Sequence, residues 1–303
     1  MDRLQSMMTV LETVRAGSLS AASRGLRVPL ASVSRRISEL EMHLGAQIFT
    51  RTGRKLTLTP AGETYVRSCQ RIIDDIAEAE RAVSGEYMAP KGSLAITAPV
   101  AFGRMHLLPV ANAFLNAYPE IDLTILFTEH TLSLIEEQID IALRIGSLGD
   151  SQLHARPIGE VRRVVCASPD YLAARGTPRK PDDLAGHDCI TLRTIASAHS
   201  WSFTEGRREI AQPIRTRLGT NATQAAVDAA VAGIGLAQVL HYQVADEVRD
   251  GRLRIVLNGF EPEPWPIHLV YVVQGPLPQK VRAFLDWAAP RLKDRVRDAL
   301  QGV

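Results

Sequence analysis

The sequence predicts an α/β chain in three parts: a small basic helical module, one long helix, and a large region made of two α/β units. Three observations predict it. Residues 1–59 carry nine Lys and Arg against four Asp and Glu, a net of +5, while the rest of the 303-residue chain carries −3. Apolar residues between positions 65 and 83 recur in a heptad pattern. From residue 93 onward, short β-rich runs alternate with amphipathic helical ones.

A chain of this length with 46% hydrophobic residues can build more than one core. It has no apolar run long enough to span a membrane. The start, MDRLQSMMTVLETVRAGS, has an early acid and an amphipathic pattern, without the basic end and apolar run of a signal peptide. Cys69, Cys166 and Cys189 are odd in number and widely spaced, with no CxxC pair, which argues against a zinc ribbon or a disulfide framework. A cytoplasmic location fits these features. A basic module on a near-neutral chain suggests a polyanionic partner, with a merely soluble basic surface as the alternative.

Residues 18–44 read as two helices. Ser18 can cap the first, on which Ala22 and Leu26 share a face. Pro29 suits the first turn of the second. There Val33, Ile37, Leu40 and Leu44, spaced four, three and four apart, form one apolar stripe. The opposite face carries Ala31, Ser32, Arg35, Ser38 and Glu39, with Ser34 and Arg36 flanking the stripe. Small residues let a helix backbone approach bases, serine can bond a base edge or a phosphate, and arginine offers a fork to guanine or phosphate. The pattern reads as a helix-turn-helix, with a solvated helical hairpin as the plain alternative. Two strand-like pieces follow, Gln47 to Thr50 and Lys55 to Leu58, joined by a turn at Gly53. Arg51, Arg54 and Lys55 make this hairpin a basic wing.

These segments, GSLSAASRGL, VSRRISELE and LGAQIFTRTGRKLTLTPAGE, closely resemble the LysR-type transcriptional regulators, and the overall length agrees. The resemblance implies an α/β protein overall, with an N-terminal winged helix-turn-helix, a long linker helix and a C-terminal two-subdomain α/β sensor resembling type 2 periplasmic binding proteins. It carries DNA contact onto Ser18, Ser20, Leu30, Ala31, Ser32, Ser34, Arg35, Arg36, Arg51, Arg54 and Lys55. Many members have Ser or Thr followed by Gln where this chain has Pro29 and Leu30, and Leu30 cannot make a polar base contact.

Thr59 and Pro60 form a helix start signal. Tyr65, Cys69, Ile72, Ile76, Ala79 and Val83 then trace a seam over a helix reaching about Gly85. A second copy of the chain would cover that seam, as the resemblance also implies; packing on the chain's own domain is the alternative. Residues 87–93, YMAPKGS, read as a hinge with Pro90 and Gly92 as breakers.

Beyond the hinge, SLAITAP, IDLTILF and IDIALRIG read as strands, and RMHLLPVANAFLNAYP and LSLIEEQ as helices. VRRVVCAS, followed by YLAARG, opens a second unit that includes the helix AAVDAAVAGIG. IHLVYVV reads as a late strand and QKVRAFLDWAAPRLKDRV as a final helix. By resemblance, these last two elements return to the first subdomain. The expected division is 1–59 for DNA binding, 60–89 for the linker helix and hinge, and 90–303 for the effector domain. Subdomain I spans about 90–160 plus 266–303, and subdomain II about 161–265.

Ligands in open α/β sheets sit beyond the carboxyl ends of strands. That points to Thr97, Pro99, Val100 and Ala101, then Phe127, Thr128 and Glu129, then Gly219, Asn221 and Ala222. Each place also suits a structural cap. Arg144, near a strand end, faces either the cleft or an ion-pair partner. AGIGLA lacks the context of a dinucleotide fingerprint, and His187, Asp188 and Cys189 lack a second ligand cluster for a metal.

The expected function is a sequence-specific DNA-binding regulator controlled by a small-molecule effector, with no catalytic residue, metal or cofactor. Expected partners are promoter DNA, an effector of unspecified identity, a second copy in a homodimer that assembles into a homotetramer, and RNA polymerase, with no membrane. A helix-turn-helix fused to an enzyme and a solute-binding protein are the rivals.

Overall fold

The computed structural model describes residues 2–52, 55–84, 89–149, 153–192, 200–273 and 277–301. Arg54 and Gly53 lie outside these residues, as do the side chains of Arg51, Lys55, Ala79 and Val83.

The N-terminal module packs three helices, α1 (Arg3–Ala16), α2 (Leu19–Leu26) and α3 (Leu30–Leu44), against the hairpin β1 (Phe49–Thr52) and β2 (Lys55–Leu58). Val10, Ala22, Val33, Ile37, Leu40 and Ile48 form its core. Ser18 caps α2 by accepting the Ala21 N–H at 3.2 Å. The sharp turn into α3 depends on Arg27, which adopts a left-handed conformation with φ 55°. Ser23 Oγ pins that turn by donating to the Val28 carbonyl at 2.6 Å. Pro29 stands at the cap position of α3, one residue before the helix rather than inside it. Leu44, placed on the buried stripe by its spacing, is 41% exposed, because the helix ends there at a left-handed Gly45. The first wing strand begins at Phe49, two residues later than the pattern of apolar residues suggests.

Helix α4 (Pro60–Ser84) leaves this module as a single rod. Thr59 starts it by accepting the Gly62 N–H at 2.9 Å while donating to the Gln47 carbonyl at 2.6 Å. A Cβ on Gly62 would come within 2.1 Å of the Ile48 carbonyl oxygen, so this close approach requires glycine.

The C-terminal region holds two five-stranded sheets. The first subdomain is entered through β3 (Gly92–Ala98), α5 (Val100–Phe102), a π-helical turn (Gly103–Leu107), α6 (Leu108–Ala117), β4 (Ile121–Phe127), β5 (Ile141–Ile145) and β6 (His154–Val161). The second runs through β7 (Arg163–Ala167), α7 (Pro169–Arg175), β8 (Asp188–Leu192), the hairpin β9 (Ser200–Glu205) and β10 (Arg208–Pro213), β11 (Arg215–Thr220), α8 (Thr223–Val231), β12 (Leu236–Leu240), α9 (Ala245–Arg249) and β13 (Arg254–Val256). The chain then returns through β14 (Trp265–Tyr271) and α10 (Gln279–Gln301). The first sheet has the order β4-β3-β5-β14-β6, and the second β11-β8-β12-β7-β13. β3 pairs in parallel with β4 and β5, whereas β14 runs antiparallel to β5 and β6, so the sheet is mixed. Phe284, Leu285, Ala288, Leu292 and Val296 of α10 join Phe102, Phe114 and Ile141 in one core.

The segment LSLIEEQ is a turn and not a helix. Leu134 and Ile139 bury themselves against Ala142 and Val270, and Gln138 takes a left-handed φ of 54° that breaks any helical run. In the β9–β10 hairpin of the second subdomain, Trp201 and Phe203 alternate with Ser200, Ser202 and Thr204 and fill the core beneath it.

Candidate functional site

Helix α3 turns Ala31, Ser34, Arg35, Ser38 and Glu39 outward, with Ser32 and Arg36 half-buried at the edges. Val33, Ile37 and Leu40 face the core, so the two faces are cleanly separated. Arg35 lies 3.8 Å from Glu39, both largely exposed, a weak pair that leaves the guanidinium free to re-aim. Pro29 supplies no side chain to cap α3, so the positive helix end stands open beside exposed Leu30. Ser20 is exposed on α2, but the Ser18 hydroxyl is already engaged as a cap. The wing is held to α3 by Glu41, whose Oε1 accepts from the Ile48 and Phe49 amides at 2.8 and 3.1 Å. Glu41 is a positioning residue that the sequence pattern did not mark.

The seam on α4 divides. Tyr65 is half-buried against the N-terminal core, and Cys69 is fully buried within the single chain. Cys69 therefore has no surface left for a second copy, and burial pushes its thiol pKa up. Ile72 and Ile76 remain 41% and 36% exposed and carry the free part of the stripe. The other side of α4 docks on the first subdomain. Asp74 accepts from the Ser93 amide at 3.2 Å and from Gln70 Nε2 at 3.0 Å, and Gln138 Nε2 donates to Ser68 Oγ at 2.7 Å. Buried Lys280 of α10 completes this junction, donating to the Ser93 carbonyl at 2.6 Å and lying 3.8 Å from Asp74.

At the strand ends of the first subdomain the expected ligand groups are partly committed elsewhere. Thr97 is buried and its hydroxyl donates to the Leu126 carbonyl at 2.9 Å, so it ties β3 to β4 instead of facing a ligand. The Val100 N–H donates to Glu129 Oε1 at 3.2 Å, which places a carboxylate at one of the expected ligand positions. Thr128 Oγ1 accepts from the His130 amide, a local turn bond. Val100 and Phe127 are exposed, Pro99 and Ala101 half-buried. Phe127 rests on Gly103, where a Cβ would come within 2.4 Å of its ring. Arg144 donates to the Leu132 carbonyl at 3.0 Å, and desolvation lowers its pKa. In the second subdomain Gly219 lies near the end of β11, and Asn221 and Ala222 lead into α8, all three exposed. The Ala222 amide donates to Thr220 Oγ1 at 3.1 Å, and α8 has no side-chain cap.

The first family profile, described as "Bacterial regulatory helix-turn-helix protein, lysR family", matches residues 4–63, and "LysR substrate binding domain" matches residues 89–293. An HTH-type transcriptional regulator of Xanthomonas campestris pv. campestris is 35% identical over 95% of this chain and 85% of its own. Among solved structures, CrgA, a LysR-type transcriptional regulator from Neisseria meningitidis, aligns with TM-score 0.61 and 30% identity, covering 95% of this chain and 98% of that one. The full-length Vibrio cholerae virulence activator AphB aligns with TM-score 0.58 and 28% identity, covering 94% and 98%.

The chain belongs to the LysR family of transcriptional regulators. It is therefore a DNA-binding regulator with an effector-binding domain, and the family and its relatives are regulators, not enzymes. Among the described residues, no group of three or more His, Cys, Asp or Glu could hold a metal, and no helix is long and apolar enough to cross a membrane. The remaining thiols of this LysR-type chain, Cys166 and Cys189, are buried, which pushes their pKa values up to about 12.

The joint between the two subdomains of this LysR-type regulator holds a group of residues without sequence periodicity. The Arg162 amide donates to His241 Nδ1 at 3.0 Å, and the His241 amide donates back to the Arg162 carbonyl at 2.9 Å. Arg162 Nη1 also reaches Glu261 at 3.4 Å, linking the two crossover segments. Tyr242 packs edge-on against both Phe102 and His106 of the first subdomain, with ring centroids 5.3 Å from each. Burial lowers the pKa of both His106 and His241 to about 4, and the nearby Arg295 and Arg162 add to the effect.

Proposed function

We propose that this LysR-type regulator reads DNA with the outer face of α3, pairs with a second copy along α4, and takes its small-molecule effector in the cleft between the two subdomains. The observation that carries the DNA reading is the separation of faces on α3: Val33, Ile37 and Leu40 inward, Ala31, Ser32, Ser34, Arg35 and Arg36 outward or at the edge. Arg35 is the candidate base reader, while Arg51, Arg54 and Lys55 on the wing supply sequence-independent phosphate contact. Ser18, by contrast, is a cap whose hydroxyl contributes chiefly by holding α2 in place.

For dimerisation the support is Ile72 and Ile76, two exposed isoleucines at heptad spacing on a 25-residue helix. They adjoin a shallow apolar groove lined by Leu44, Ala46, Ile48, Pro60 and Tyr65. The domains are 1–59, 60–89 and 90–303. A homotetramer, contact with RNA polymerase and a cytoplasmic location complete this reading.

The test is quantitative binding of the full-length protein to DNA from upstream of its own gene. Arg35→Ala should weaken operator binding by about 1–3 kcal/mol and relax preference at one base position. Ile76→Asp should shift the protein to a smaller species by light scattering. Losses below a few tenths of a kcal/mol with Arg35→Ala, together with an unchanged mass for Ile76→Asp, would overturn both placements.

A further inference from the structure

Arg163 opens β7 immediately after the crossover from the first sheet. Its guanidinium lies over the Trp265 ring, 4.4 Å from the centroid, and Trp265 itself opens the returning strand β14. Nε of Arg163 is buried without a hydrogen-bond partner, and no carboxylate pairs with the side chain among the described residues. Its neighbour Arg162 is different, held by Glu261 at 3.4 Å. Desolvation dominates the surroundings of Arg163, with Glu209 on β10 the opposite charge whose field reaches it. A half-buried cation with an unmet donor is costly unless something occupies that place.

Strand alternation fixes which face Arg163 shares. Val164 and Cys166 point to the core beside α8, whereas Val165 and Ala167 point to the core with Trp201 and Phe203. Arg163 follows Val165, and so does Gln238, which pairs with Val165 across β12 and donates to the Ser202 carbonyl at 3.2 Å. This end of the second sheet therefore presents a guanidinium, an indole and an amide together. The strand ends of the first subdomain present the opposite chemistry: the Glu129 carboxylate holds the Val100 amide, Thr97 is spent on Leu126, and Val100 and Phe127 expose apolar surface.

We propose that Arg163, braced on Trp265, is the anion subsite of the cleft and takes the carboxylate of a small effector with a flat apolar body. This rests on the reading of the cleft as the effector site. Stacking on the indole fixes the guanidinium plane and leaves its two Nη groups, which are not among the buried atoms, to face both oxygens of a carboxylate. The body of such a ligand meets apolar surface at the part-exposed Trp265. The anion is thus held at the crossover between the two sheets, not at the helix starts. Arg163 adjoins Arg162, whose amide bonds His241, so a ligand drawing on Arg163 acts directly on the crossover.

The experiment uses the full-length protein with benzoate as probe and benzamide as its neutral counterpart, read by thermal shift and tryptophan fluorescence. Benzoate should raise the melting temperature and change a fluorescence component that disappears in Trp265→Phe, while benzamide does neither. Arg163→Gln should weaken benzoate about tenfold or more, with Arg163→Lys recovering part of it, as expected for a charge-assisted pair with lost fork geometry. Val100→Trp separates the two readings. Benzoate binding lost in Val100→Trp but kept in Arg163→Gln would retain the cleft and overturn the subsite. Binding unaffected by both variants would overturn both readings. Equal binding of benzamide, or no binding of benzoate, would overturn the assignment of a carboxylate.

Discussion

The Lys280 ammonium on the last helix lies 3.8 Å from the Asp74 carboxylate on the linker helix, with both side chains largely buried. The Ser93 backbone bonds each of them, Lys280 through its carbonyl and Asp74 through its amide. Asp140 sits in the same junction, accepting the Ala95 amide at 2.8 Å, with its pKa raised by burial against the attraction of Lys280. Removing one member of a buried pair leaves the other uncompensated, so Lys280→Met should cost about 3 kcal/mol in urea unfolding. Lys280→Met combined with Asp74→Leu should recover part of that loss. A double variant whose cost equals the sum of the single ones would show that the two do not interact.

Gly62 passes so close to Ile48 that any side chain must move the wing base. Gly62→Ala should destabilise the DNA-binding module by about 1–3 kcal/mol while the effector domain keeps its own unfolding transition. Limited proteolysis checks this: early cleavage ahead of the linker helix in the variant is the expected result, and an unchanged pattern is the contrary one.

The buried histidines predict how stability depends on acid. His106 and His241 bind fewer protons folded, near pKa 4, than unfolded, near 6.5. Stability is therefore full above about pH 6.5 and falls as pH drops toward 4. Each pKa unit corresponds to about 1.4 kcal/mol, so one such histidine accounts for a loss on the order of 3 kcal/mol. Neither ring nitrogen of His106 has a partner among the described residues, and the ring packs against both Phe102 and Tyr242. His106→Phe should flatten the dependence between pH 6.5 and 4 without lowering stability at pH 7. Urea midpoints across that range measure it, and an unchanged slope would contradict an origin in His106.

What was legible in the sequence follows from which forces are local. The Ser18 cap, the α3 stripe and the Thr59–Pro60 start depend on neighbours in the chain, and the structure places them within a residue or two. Periodicity cannot say what covers a stripe. Cys69 lies on the same seam as Ile72, yet it is fully buried within the single chain. The segment LSLIEEQ has helical composition, but Leu134 and Ile139 are held by distant Ala142 and Val270. At the cleft, residue types suggested ligand contact for Thr97 and Val100, while their partners Leu126 and Glu129 come from a neighbouring strand and the loop after it. Arg163 meets Trp265, and Arg162 meets His241, only through the crossover, and these residues carry no pattern that spacing could reveal.

Arg51 and Arg35 should separate in their salt dependence. Loss of a phosphate contact lowers the slope of log K against log salt by about one, whereas loss of a base contact leaves the slope nearly intact. Arg51→Ala should weaken binding to specific and random DNA alike, and Arg35→Ala chiefly to the specific site. Equal effects of the two variants on both DNAs would remove the distinction between wing and α3.

The measurement that tests the central claim most directly is a salt titration of the full-length protein on DNA from upstream of its own gene, with random DNA of equal length as competitor. The predicted result is a footprint that survives at salt concentrations that strip the random DNA. Equal loss from both DNAs would contradict a sequence-specific reading by α3.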